Sequence, residues 1–203
     1  MQSAKGTFKT RTSKTYVLVA TAVMSTISII LDVLPLPRAI WGMKIDLVGT
    51  VWVLSFFLYG WKAALGVASI TAIYIAMFSS TGYVGAVMKF VATIPMFLVP
   101  ALMIQLPFFS KKESRVYGSV VVITAAAILA SLARLFLTTT VNLYWAIPIY
   151  LGKTPDQVLV IFGGIIPLMA FVAGLNVIQG IVDIYVPWVL AFKLRLSRHF
   201  GTW

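Results

Sequence analysis

The chain has 203 residues, of which 61% are hydrophobic and 10% charged, with a mean hydropathy of +1.00. Soluble domains are roughly half apolar and about a quarter charged, so this chain has too little polar surface to face water on all sides. The formal charge of +11 does not indicate nucleic-acid binding: the basic residues flank apolar runs, where Lys and Arg anchor helices at lipid headgroups, and no aromatic-and-basic stripe for stacking bases is present.

About 20 apolar residues span a bilayer as a helix, which leaves room for six spans, short loops and no separate catalytic domain. The predicted organisation is therefore an all-α integral membrane protein, a single membrane domain over 1–203 with a basic tail (1–15), a six-helix bundle (16–194) and a second basic tail (195–203). The first span, Tyr16–Leu34, follows Lys5, Lys9, Arg11 and Lys14 as a signal peptide would. It exceeds a normal signal-peptide core, however, and closes on Asp32, Pro35 and Pro37 without a small-x-small cleavage site, so it reads as a retained helix. Ile45–Tyr59, Ala63–Phe78, Val84–Leu106, Val116–Leu137 and Gly174–Leu194 complete the set. The stretch Thr138–Ala173 is apolar but interrupted by Pro148, Pro155 and Pro167, and proline ends or kinks helices. It reads as the end of the fifth helix, an ordered external loop and an interfacial segment, with a short seventh span near Val158–Phe171 as the alternative.

Short-loop Lys and Arg residues set orientation. With the N-terminus inside, Lys5, Lys9, Arg11, Lys14, Lys62, Lys111, Lys112, Arg115, Lys193, Arg195 and Arg198 lie inside, against Arg38, Lys44 and Lys153 outside. Both termini are expected in the cytoplasm. Ala22-x-x-x-Thr26, with Ser25 and Ser28, and Ala126-x-x-x-Ala130 carry the small-residue spacing that lets helix backbones approach closely. Such a stripe serves either packing within the bundle or the docking of a membrane partner.

Polar groups recur at membrane depth, where they are costly and usually face a cavity or a partner. At about 1.5 Å per residue, Lys89 lies roughly 26 Å above the inner end of its helix and Arg134 roughly 27 Å, in a core of about 30 Å. On the last span Asn176 and Gln179 lie roughly 26 and 21 Å up, and Asp46 opens the second helix at the same outer face. Together they suit a pocket loaded from outside, with polar groups orienting a ligand between apolar walls. Snorkelling explains Lys89 and Arg134 equally well, and a helix-dipole charge explains Asp46. Asp183 sits about 15 Å up, near the midplane, with no basic residue evidently level with it; it is either hydrogen-bonded within the bundle or part of a proton path. Tyr144 and Trp145, beside Asn142, belong either to an interfacial aromatic belt or to a stacking surface for a flat heterocycle.

Catalytic patterns are missing. The single histidine, His199, lies in the basic tail, and no phosphate loop, nucleophile elbow or paired-carboxylate motif appears. The expectation is a non-enzyme with no cofactor and no metal site.

Three runs carry a resemblance. Gly85-Ala-Val-Met88-Lys89-Phe90-Val-Ala92-Thr93, Asn142-Leu-Tyr-Trp-Ala-Ile-Pro148-Ile-Tyr150 and Gly174-Leu-Asn176-Val-Ile-Gln179-Gly180 resemble segments of the S component, the substrate-binding membrane subunit, of energy-coupling factor (ECF) transporters, in particular its riboflavin-binding branch. The resemblance implies a multi-pass protein of the cell membrane that captures riboflavin, as transported ligand rather than cofactor, near the outer surface. It implies association with a membrane coupling protein and two ABC-type ATPases. Asn142 and Asn176 match ligand-bonding positions, and Lys89, Asp46, Gln179 and Tyr144 complete the candidate site. Ala22 and Thr26 fall on the family's docking face, where the second position is normally alanine. Gln179 stands where the branch has lysine, which leaves another vitamin open as the ligand. The competing readings are a small ion-coupled secondary transporter using Asp183 and a lipid-modifying enzyme, for which no catalytic constellation is present.

Overall fold

A 12-residue helix that is apolar on every side must be surrounded by others, and α2 (Val48–Tyr59) is that helix: Val48, Trp52, Val53, Phe56 and Phe57 are all fully buried. In the computed structural model, which describes residues 13–36 and 44–203, the helices around it are long and apolar enough to cross a membrane. They are α1 (Lys14–Val33), α3 (Trp61–Phe78), α4 (Gly82–Met103), a continuous run from α5 (Val120–Val141) to Leu151, and α8 (Ile165–Trp188) prolonged to Lys193. Among the described residues the architecture is all-helical, with five such spans and α2 as the sixth member of the bundle.

Prolines divide the fifth and last spans differently from the sequence reading. α5 does not stop near Leu137. It widens into a π-helical turn at Asn142–Ala146 and continues as α6 (Ile147–Leu151), so Pro148 sits at the start of a new helical segment, where its missing N–H is tolerated. The last helix begins at Ile165 rather than Gly174, because Pro167 falls in its first turn. Between them α7 (Pro155–Phe162) is an eight-residue helix, opened by a Thr154–Gln157 capping box and closed by Gly163 at φ 75°. The seventh span near Val158–Phe171 therefore does not form; Gly163 and Gly164 split it between α7 and α8. Leu143, Ile147, Val158, Leu168 and Val172 form a small separate core that seats α7 on the outer ends of α5 and α8.

At the opposite end, the beginning of α1, the α2–α3 turn and the C-terminal segment, which follows α9 (Leu196–Phe200), converge. The rings of Tyr16 and Tyr59 lie 6.2 Å apart. Trp203 donates its indole N–H to the Phe56 carbonyl at 2.8 Å and accepts from Ser114 Oγ at 2.8 Å. Burial raises the Tyr117 phenol above its ordinary value. Lys14, Lys62, Lys111, Lys112, Arg115, Lys193, Arg195 and Arg198 cluster towards this end, whereas Lys44 and Lys153 belong to the other. By the positive-inside rule the basic end is the one expected on the cytoplasmic side. Lys5, Lys9, Arg11, Arg38, Pro37 and Trp41 lie outside the described residues.

Candidate functional site

Twelve residues of helix reach about 18 Å, well short of a hydrocarbon core of about 30 Å. α2 thus ends below the outer surface while its neighbours continue past it, and the space above its N-terminus is a cavity of about 120 Å³. Polar groups of the wall include Asp32, Lys44, Asp46, Lys89, Arg134, Asn142 and Asn176; Ile75, Met88, Ile147, Tyr150 and Phe171 give it apolar surface. Thr138, Asn142, Ala146, Ile147 and Tyr150 all face it from one continuous helical run. A π turn at Asn142–Ala146 lies in the middle of that run, in keeping with the association of π bulges with functional sites.

The lining cations are each matched by a carboxylate. Lys44 Nζ lies 2.7 Å from Asp32 Oδ1 and also donates to the Asp32 carbonyl at 2.7 Å, tying the approach to α2 against the end of α1. Lys89 pairs with Asp46 Oδ1, which also accepts from Val48 N at 2.9 Å and so caps α2 from just ahead of its first turn. Arg134 reaches inward rather than to headgroups: its Nη1 donates to Asp183 Oδ2 at 2.8 Å and its Nε to Asn176 Oδ1 at 2.9 Å. Neither Lys89 nor Arg134 snorkels.

Asp183 therefore has a basic partner, contrary to the expectation from depth. The expectation counted α5 from Val116, but Ser114–Gly118 is a separate 3-10 turn and the helix starts at Val120. Recounted, Arg134 stands at about 21 Å and Asp183 at about 15 Å, a gap that an arginine side chain closes.

Of the sequence candidates, Asp46, Lys89, Asn142 and Asn176 meet on the cavity wall. Gln179 lies one layer behind it. Its Oε1 accepts from Asp46 N at 3.0 Å, and its Nε2 donates to the Asp46 carbonyl at 2.8 Å and to Asp183 Oδ1 at 2.7 Å. Both amide hydrogens are thus committed inside the protein. Tyr144 is 66% exposed and off the wall. The aromatic side chains on the wall are instead those of Tyr150, further along the same run, and Phe171. Ala22 and Thr26 are exposed on α1 among Val19, Val23 and Ile30, with the Thr26 hydroxyl turned back to the Ala22 carbonyl at 3.1 Å. Ser28 faces inward and accepts the Trp52 indole N–H at 2.9 Å. Ala126 and Ala130 are buried, so the α5 stripe serves internal packing.

No protein-family profile matches the chain, and no curated relative matches it. Among solved structures, one described as "Structure and mechanism of the S component of a bacterial ECF transporter" superposes with a TM-score of 0.69 at 19% sequence identity, covering 90% of this chain and 97% of that one. At that identity, what the two chains share is the fold, over nearly the whole of both.

Proposed function

We propose that this chain is the substrate-capture subunit of an ECF-type importer in the cell membrane, binding riboflavin or a similar flat vitamin in the outer cavity. The observation that carries the reading is convergence. The three runs that resemble the riboflavin branch lie on α4, on the α5–α6 run and on α8, and each contributes to this one cavity, through Gly85, Met88 and Lys89, through Asn142 and Tyr150, and through Asn176. The shared fold supports the same reading. Paired charges favour an uncharged or zwitterionic ligand over one that needs a free counter-ion, and the apolar wall suits a ring system. The pairing of Asp183 with Arg134 and Gln179 speaks against a proton-coupled secondary transporter built on that carboxylate. Energy would come from partners, because the chain carries no nucleotide motif.

Titration of the detergent-purified chain by flavin fluorescence quenching tests this. Wild type should quench riboflavin. Asn142 and Asn176 use one amide hydrogen each on Thr138 O and Val172 O, both at 2.8 Å, and an amide has further donor and acceptor capacity. Removing a partner from a buried polar group costs about 1–3 kcal/mol, so Asn142→Ala and Asn176→Ala should each weaken binding roughly 5- to 150-fold. Wild-type affinity in both variants would place the site elsewhere.

The exposed Ala22–Thr26 face of α1 is proposed as the docking surface for the membrane coupling protein, which would bring the two ABC-type ATPases. A bulky ring there blocks close helix approach. Ala22→Trp should abolish co-purification with the coupling protein while riboflavin affinity stays at the wild-type value; simultaneous loss of both would mean that the face packs within the bundle.

A further inference from the structure

Asp183 is fully buried and Arg134 is 4% exposed. Desolvating such a pair commonly offsets its Coulomb gain, so stabilisation alone is a poor account of why it is there. Its geometry gives a better one. Asp183 accepts at both oxygens, from Gln179 at Oδ1 and from Arg134 Nη1 at Oδ2. The guanidinium plane is thereby fixed, and its Nε edge is presented to Asn176 Oδ1 at 2.9 Å. The Asn176 amide hydrogen bonds to Val172 O at 2.8 Å, so both ends of this side chain are set. Through Gln179, the same carboxylate is linked to the backbone of Asp46, just ahead of α2. Asn176 and Asp46 line the cavity; Asp183 and Gln179 do not.

We propose that Asp183 and Arg134 are positioning residues for the ligand site: one buried ion pair sets the orientation of the Asn176 amide and, through Gln179, the placement of Asp46. The proposal rests on the cavity being the ligand site.

Two variants of the full chain in detergent test it, with riboflavin as the probe. Arg134→Lys keeps a positive charge for Asp183 but lacks the rigid fork that serves two acceptors. The double variant Arg134→Gln/Asp183→Asn removes both charges, so neither is left stranded. Each should fold, with a monodisperse elution profile, yet bind riboflavin about tenfold or more weakly, as expected for a misplaced polar contact. A purely structural pair predicts instead that the folded double variant binds like wild type; wild-type affinity in it, or in Arg134→Lys, overturns the proposal. Should the double variant not fold, Arg134→Lys decides. A second readout needs no ligand: the side-chain NH₂ resonances of Asn176, assigned by comparison with Asn176→Ala, should shift in Arg134→Lys, and unchanged resonances overturn the proposal. If wild type fails to bind riboflavin, the vitamin assignment falls and the resonance test still stands.

Discussion

Gly49→Ala should destabilise the bundle by about 3–5 kcal/mol, the cost of disrupting a buried ion pair, although alanine is the better helix former by about 1 kcal/mol. The sign is set by α8. A Cβ at position 49 would lie 2.4 Å from Asp183 Oδ1, 2.7 Å from its Cγ and 2.8 Å from Oδ2, well inside van der Waals contact. The carboxylate cannot withdraw without releasing Gln179 and Arg134. Either α2 moves away from α8 and loses the packing of Val48, Trp52 and Ile184, or the pair breaks. Gly174→Ala is the matched control. It lies in the same α8, and nothing stands within 4 Å of its added Cβ, so it should be neutral or stabilising by up to about 1 kcal/mol. Thermal unfolding in detergent reads both; a melting temperature for Gly49→Ala equal to that of Gly174→Ala would show that α2 and α8 are not in close contact at this point.

How far the sequence discloses this arrangement depends on the residue. Spans one, three and four are legible because their apolar runs end in charges, glycines or prolines near the observed boundaries. The ends of the fifth and last spans are not, because a proline breaks a helix only where its N–H is needed, and Pro148 and Pro167 both lie in first turns. The central place of α2 is hidden for a different reason: in a membrane protein, lipid-facing and core-facing positions are both apolar, so the run Val48–Tyr59 carries no periodic sign that every face is covered. Depth counting finds the layer that holds Asp46, Lys89, Asn142 and Asn176, since helical rise is regular, but it cannot say which way a side chain points. That is why Gln179, one turn below Asn176, and Tyr144, half a turn from Asn142, were expected on a wall they do not line. Position 179 had one available signal: a glutamine four residues before Asp183 on one helix can reach it, and a side chain so occupied is poorly placed to meet a ligand.

Lys89→Met should have the largest effect on the site itself. The Asp46 side chain is only 1% exposed. Its Oδ1 is held by Lys89 and by Val48 N, and its Oδ2 has no hydrogen-bond partner among the described residues. Replacing the ammonium by a thioether of similar length leaves a buried carboxylate at the cavity wall with no counter-charge, and one-sided deletion of a buried pair costs about 3–5 kcal/mol. The cap on α2 should loosen, so the melting temperature falls, and the loss of the ammonium donors from the cavity wall, at about 1–3 kcal/mol, should weaken riboflavin binding roughly 5- to 150-fold. Asp46→Asn added to Lys89→Met separates the two consequences. An asparagine oxygen still accepts the Val48 N–H, and no charge is stranded, so much of the stability should return. Affinity should not, because Lys89 lines the cavity and its remaining ammonium donors are lost with it. The coupling between the two positions, taken from the double-mutant cycle, should therefore be large for stability and small for binding. Full recovery of both would make Lys89 a counter-ion to Asp46 and nothing more, and an unaffected single variant would mean that the two side chains do not meet.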